Sequence, residues 1–198
     1  MNKKLKKHII EYGLFGIIIL GIYFSGLHTE IIGFAQRGLL ATGVMNPNVE
    51  QIEENSEANK LTATKADFNL QLMNSKGERV SMEQYRGKVI FINFWATWCP
   101  PCVAEMPSIN KMYNDIDKDK IEVLMVSFDQ KFEKAIKYKD KNNFNFEVYA
   151  PAAAIPKMYD SPSIPTTFII NSKGELIFTH KGMADYNRQD FKDFLKTL

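Results

Sequence analysis

The sequence predicts an α/β fold in which a central mixed sheet is flanked by helices, and three observations predict it. Val89–Trp95 and Ile121–Ser127 are apolar without alternation, as central parallel strands covered on both faces should be. Between them, from near Cys99 to Asp117, the apolar residues recur at helical spacing, which completes a β–α–β unit. Thr166–Ile170, the turn Asn171–Gly174 and Glu175–Thr179 then read as a hairpin. Phe191, Phe194, Leu195 and Leu198 stand at i, i+3, i+4 and i+7, the spacing of a closing helix.

The other elements follow in chain order. Phe68–Met73 alternates like a strand, and Asn74–Gly77 turns it into a short partner strand, an extra N-terminal β-hairpin. Phe132, Ile136, Tyr138 and Lys139 mark a further helix that ends near Asn142–Asn143. The folded domain spans residues 66–198.

Ahead of it lies a different kind of sequence. Lys3, Lys4, Lys6 and Lys7 precede Tyr12–Thr29, 18 residues without formal charge when His28 is neutral. As a helix this run would be about 27 Å long, close to the roughly 30 Å hydrocarbon core of a bilayer. Gly13, Gly16, Gly21 and Gly26 suit a membrane span better than a soluble helix. Neither Ser25-Gly26-Leu27 nor Phe34-Ala35-Gln36 makes a good small-x-small cleavage site, which favours an anchor over a cleaved signal peptide. Residues 1–30 are thus expected to form a cytoplasmic tail and one transmembrane helix, with everything beyond outside the cytoplasm. Residues 31–65 read as a juxtamembrane segment and linker. Ile31–Val44 is apolar apart from Arg37 and continues the helix or lies along the membrane surface, while Asn46–Lys65 is polar.

Composition narrows the function. Hydrophobic residues at 45% and charged residues at 24% describe a globular chain, not a disordered one. A net charge of +2, with no basic stripe interleaved with aromatics, argues against nucleic acid. The two cysteines, Cys99 and Cys102, are too few for a disulfide scaffold. They supply half of a structural zinc site, and of the histidines His8 and His28 flank the apolar segment, leaving His180. A redox pair is the reading that remains, and it needs no cofactor.

Trp98-Cys99-Pro100-Pro101-Cys102 lies between a buried strand and the helix after it. Two intervening residues at a helix start bring the sulfurs within disulfide reach and leave the first one exposed. The helix N-terminus favours a thiolate, so Cys99 is the expected nucleophile and Cys102, one turn inward, the resolving thiol. Pro100 and Pro101 have no N–H, which leaves the Cys102 amide as the nearest backbone donor to the Cys99 sulfur. On a wheel at about 100° per residue, Met106, Ile109, Met112, Tyr113 and Ile116 share one arc. Glu105 falls inside that arc and Cys102 beside it.

Asn93-Phe-Trp-Ala-Thr-Trp-Cys-Pro-Pro-Cys102, followed by Glu105 and Pro107, resembles the TlpA/ResA group of thioredoxin-like proteins. Ser163-Ile-Pro-Thr-Thr-Phe-Ile-Ile-Asn-Ser-Lys-Gly-Glu175 resembles the group's second landmark, whose proline is cis and faces the cysteine pair. The resemblance runs from about Phe68 to Leu198 and implies a thioredoxin-like fold. It further implies a membrane-anchored, extracytoplasmic protein that reduces disulfides in partner proteins, often during cytochrome c maturation, and is itself reduced by an upstream membrane thiol reductant. Cys99, Cys102, Glu105 and Pro165 form the expected catalytic set, and the resemblance together with the wheel turns Glu105 inward, with a raised pKa. Asn93, Trp95, Trp98, Pro100, Pro101 and Thr166 support it: Trp95 by packing, Trp98 as a site wall, Asn93 as a polar residue in an apolar strand where thioredoxin has a buried acid. His180 reads as a strand-end surface residue. The chain is expected to act as a monomer.

Pro100 stands where the group varies and tunes its potential, so an oxidase or isomerase using the same pair is the alternative. A copper-carrying metallochaperone of similar fold would need a longer cysteine spacing and a distant histidine. A peroxidase would need a cysteine placed for peroxide with a threonine before it, whereas this pair is arranged for dithiol exchange. The anchor is directly testable: the mature protein should keep its N-terminus and stay with membranes in high salt, and external protease should release the domain. A soluble form beginning between Ser25 and Gly43 would show a cleaved signal instead.

Overall fold

A computed structural model describes residues 8, 11–17, 20–21, 27–41 and 64–198. The elements are α1 (Leu27–Ala41), β1 (Thr64–Lys65), β2 (Gln71–Asn74), β3 (Arg79–Ser81), β4 (Val89–Trp95), α2 (Pro100–Asp115), β5 (Ile121–Ser127), α3 (Glu133–Lys141), β6 (Val148–Pro151), β7 (Thr166–Ile170), β8 (Glu175–Lys181) and α4 (Gln189–Thr197). The strands form one sheet in the order β1-β8-β7-β4-β5-β6-β2-β3. β4 pairs in parallel with β5 and antiparallel with β7, so the sheet is mixed and β4 sits near its middle.

β4 is buried along its whole length because its two faces meet two different cores. Side chains alternate along a strand. Phe91 and Trp95 join Met106, Ile109 and Met112 of α2 and Phe191, Phe194 and Leu195 of α4 on one side. Ile90, Ile92 and Phe94 join Leu70, Leu72, Met82, Tyr159 and Phe168 on the other. Asn93 has the parity of Phe91 and Trp95, so its polar side chain is delivered to the α2 face.

Two hairpins close with the same five residues, Asn-Ser-Lys-Gly-Glu, at 74–78 and 171–175. In each, the Asn Oδ1 accepts from the amides two and four residues on, and its Nδ2 donates to the Glu carboxylate at 2.8 Å. Gly77 and Gly174 take φ of 80° and 78°, the left-handed region that favours glycine.

The structure differs from the sequence reading at several edges. Of the span read as strand from Phe68, only Gln71–Asn74 pairs, because Phe68 and Leu70 are used for burial beneath the sheet rather than for the ladder. α2 ends at Asp115, where Ile116 turns extended. β6 has no counterpart in the sequence reading: four residues with Pro151 at the end carry little periodicity, and pairing with β5 and β2 fixes them. Thr64–Lys65, at the end of the segment read as linker, adds a short edge strand to β8.

Leu27–Ala41 is helical, and it packs on α2. Gly33 makes the closest approach: a Cβ there would stand 2.8 Å from Val103 Cγ2 and 3.4 Å from the Pro100 carbonyl oxygen. Leu40 is buried with Ala104 and Met183. Among the described residues no helix is long and apolar enough to cross a membrane, and the proposed span, Tyr12–Thr29, falls partly outside them.

The ring of Phe91 is fully buried and meets Tyr186 and Phe191 edge-on at 5.1 and 6.4 Å. Phe91→Ala should therefore cost about 3–5 kcal/mol of stability, read as a lower urea midpoint at unchanged m-value.

Candidate active site

Cys99 is the N-cap of α2, and Pro100 and Pro101 occupy the first helical positions, where a missing N–H costs nothing. The Cys102 amide donates to the Cys99 sulfur at 3.3 Å, the donor that the two prolines leave available. The two cysteines form a disulfide in this structure. Cys99 Sγ lies 3.7 Å from the carbonyl oxygen of Ile164, and the Ile164–Pro165 bond is cis, so this loop stands directly against the pair. Contrary to the exposure expected for the first cysteine, Cys99 retains only 4% of its surface and Cys102 none. The spacing places Cys99 at the helix start, but the 164–165 loop packs over a position that a free helix end would leave open.

Glu105 is fully buried on the inward arc of α2, and Pro107 does not interrupt that helix. Among the described residues its carboxylate has no cation partner. Oε1 accepts from Asn93 Nδ2 at 2.8 Å, and Oε2 accepts from the Ala184 amide at 3.1 Å. Burial pushes its pKa up to about 8, against the smaller opposing effect of those two donors. Asn93 Nδ2 also donates to Thr167 Oγ1 at 3.0 Å, and Tyr186 OH donates to the same oxygen at 2.7 Å. Tyr186 is itself pushed well above the usual phenol range, first by burial and then by the Glu105 charge. Asn93, Glu105, Thr167 and Tyr186 are all fully buried.

Of the other expected site residues, Trp95 is buried in the core beside Tyr138, while Trp98 is 57% exposed at the rim. The loop carrying Trp98 is pinned by Asp129, which accepts from the Thr97 amide at 2.9 Å and from its hydroxyl at 2.6 Å. Thr166 turns away from the carboxylate: its hydroxyl donates to the Ser163 carbonyl at 2.7 Å, which braces the loop before Pro165. His180 is half-buried and stacked on Phe178, not a surface residue, and burial lowers its pKa. It lies across from Thr167 near the end of β8, where the chain folds back over the sheet.

Sequence reasoning missed Thr167, Ala184, Tyr186 and Ser108. Thr167 pairs directly with Asn93 in the β4–β7 register, which no local pattern announces. Ala184 contributes only its backbone. Ser108 ties the same loop to α2, donating to the Glu105 carbonyl at 2.7 Å and accepting from the Tyr186 amide at 3.3 Å. One signal was available: Gly182, with φ of 103°, marks the turn that sends the loop back toward α2.

A raised carboxyl pKa sets the sign of a stability effect. The folded state holds the Glu105 proton more tightly than the unfolded chain. The associated stability is therefore complete below the usual value of 4.5 and is lost as pH rises through about 8. Urea unfolding of the oxidised protein should show this decline, and Glu105→Gln should flatten it.

The model of the AhpC/TSA family matches residues 34–179. Over 119 residues the chain is 35% identical to the thioredoxin-like protein YneN of Bacillus subtilis, covering 59% of this chain and 68% of that one. Over 130 residues it is 28% identical to the thiol-disulfide oxidoreductase ResA of Halalkalibacterium halodurans, covering 65% and 74%. The crystal structure of StoA from Bacillus subtilis superposes with a TM-score of 0.53 at 25% identity, covering 63% and 93%. The matches agree with the thioredoxin-like α/β sheet. The chain belongs to the AhpC/TSA family, and within it resembles the TlpA/ResA-like thiol–disulfide oxidoreductases.

Proposed function

We propose that this chain reduces disulfides in proteins outside the cytoplasm through Cys99 and Cys102, with Glu105 as the acceptor of the Cys102 proton. The observation that carries the reading is a fully buried carboxylate, without a cation among the described residues, one turn along α2 from Cys102. In the reduced protein the Cys99 thiolate, favoured by the helix N-terminus, attacks a substrate disulfide. A mixed disulfide forms and one substrate thiolate leaves. Cys102 gives its proton to Glu105, and its thiolate attacks the Cys99 sulfur of the mixed disulfide. The second substrate thiolate leaves, and the Cys99–Cys102 disulfide remains. The substrate has gained two electrons and the pair has lost them, so an upstream membrane dithiol must restore it. A base near pKa 8 suits this step, because it can take a proton from a buried thiol near neutral pH.

The substrates on this reading are extracytoplasmic proteins, including those on the route of cytochrome c maturation. The tether is the N-terminal run. Tyr12, Leu14, Phe15, Ile17 and Leu20 are all exposed, which suits side chains that meet lipid rather than protein. Trp98, next to Cys99 in the chain and 57% exposed, supplies an apolar surface beside the pair for a protein partner.

The test is a reduction potential measured on the full chain together with a trap. A potential near thioredoxin's value of about −270 mV supports a reductase, whereas one near −120 mV would make the protein an oxidant. Cys102→Ser should accumulate mixed disulfides with partners, and Cys99→Ser should form none. Glu105→Gln should leave the first attack intact and slow release of the mixed disulfide. Reduction by Glu105→Gln at the parent rate from pH 5 to 9 would remove Glu105 from the mechanism.

A further inference from the structure

Asn93, Thr167 and Tyr186 form one continuous polar chain that ends on Glu105, and every member is fully buried. Apolar side chains of the same shape would fill this volume at lower desolvation cost. The chain also leaves a defect: Asn93 Oδ1 is buried without a partner. Both hydrogens of the Asn93 amide nitrogen are used, one on Glu105 Oε1 and one on Thr167 Oγ1. The Thr167 oxygen is held in turn by the Tyr186 hydroxyl. We propose that Thr167 and Tyr186 are positioning residues, which hold the Asn93 amide with its nitrogen on the Glu105 carboxylate and so set the pH at which Glu105 exchanges its proton. The proposal rests on the reading of Glu105 as the proton acceptor of Cys102.

The surroundings of Glu105 leave these neutral groups as its controls. β4 presents Asn93 and β7 presents Thr167. The loop after β8 presents the Ala184 amide and Tyr186, and α2 itself presents Cys102 and Ser108. His180 on β8, across from Thr167, has the Met183 backbone as its partner. Arg37 of α1, which covers the Val103–Ala104 side of α2, has its guanidinium over the Phe34 ring. A carboxylate with two donors and no ion responds to the loss of either. Without the Thr167 oxygen, one amide hydrogen has no acceptor and the amide is free to turn about its Cβ–Cγ bond. Donation to Oε1 then weakens, the ionised form loses support, and proton affinity rises.

The experiment titrates the Glu105 carboxyl in the oxidised full chain, where neither cysteine ionises, by carbon NMR of labelled glutamate with Glu105→Gln to assign the signal. Thr167→Val, which keeps the shape and removes the oxygen, should raise the midpoint by roughly one pH unit. Tyr186→Phe should raise it by less, and Thr167→Ser should restore the parent value. The pH profile of mixed-disulfide release should move with the carboxyl midpoint. A midpoint unchanged in both Thr167→Val and Tyr186→Phe would overturn the proposal, as would a shift that Thr167→Ser fails to reverse, which would trace it to packing. If Glu105→Gln leaves the exchange profile unaltered, the assignment of Glu105 to the reaction fails instead, and the carboxyl titration still decides the positioning claim.

Discussion

The constraint on which the site depends is a buried carboxylate without a cation among the described residues. Glu105 sits in the core between α2 and the sheet, where water would otherwise stabilise its charge, and only two neutral donors replace that water. A buried ion pair would hold the carboxyl ionised at all working pH. Two neutral donors do not, and burial pushes the Glu105 pKa up to about 8. An arginine or lysine in place of Asn93 would give a more stable charge and a poorer proton acceptor.

The fold is what brings those donors together. Asn93 reaches the α2 face because its parity on β4 matches Phe91 and Trp95, and the neighbouring strand β7 enters antiparallel with Thr167 at the same level. β7 begins immediately after Pro165, so one short segment places both the loop against the disulfide and the hydroxyl beneath it. The remaining donor comes from the chain after β8, folded back at Gly182 and fastened to α2 through Ser108. Three separate stretches of sequence thus converge on one side chain, each fixed by sheet register or by a turn.

Much of this was legible in advance, for physical reasons that differ by element. β4 and β5 announce themselves because strands covered on both faces must be apolar throughout. The inward placement of Glu105 follows from the wheel taken with the family resemblance, since a helix repeats its faces whatever it packs against. The two Asn-Ser-Lys-Gly-Glu turns are local chemistry and were read as turns. What could not be read depends on register or on backbone. Thr167 and Thr166 are adjacent and chemically identical, and only the pairing with β4 decides which one meets Asn93. Ala184 acts through its amide, so its side chain carries no signal. The cover over Cys99 comes from residues 65 positions away, which a helix-start argument does not include.

The first two turns of α2 assign opposite electrostatic environments to groups on one helix. At its first residue the unpaired amides and the helix dipole favour negative charge, and the Cys102 N–H aims at the Cys99 sulfur. Further into the helix those amides are consumed by the helix itself, and Glu105 meets an apolar core that disfavours charge. The helix start thereby favours the Cys99 thiolate that attacks, and the core further in favours the protonated Glu105 carboxyl, against their ordinary order in water. One helix supplies both environments by position alone: Pro100 and Pro101 fix where the helix begins, and the placement of Glu105 relative to that start fixes which of the two it meets.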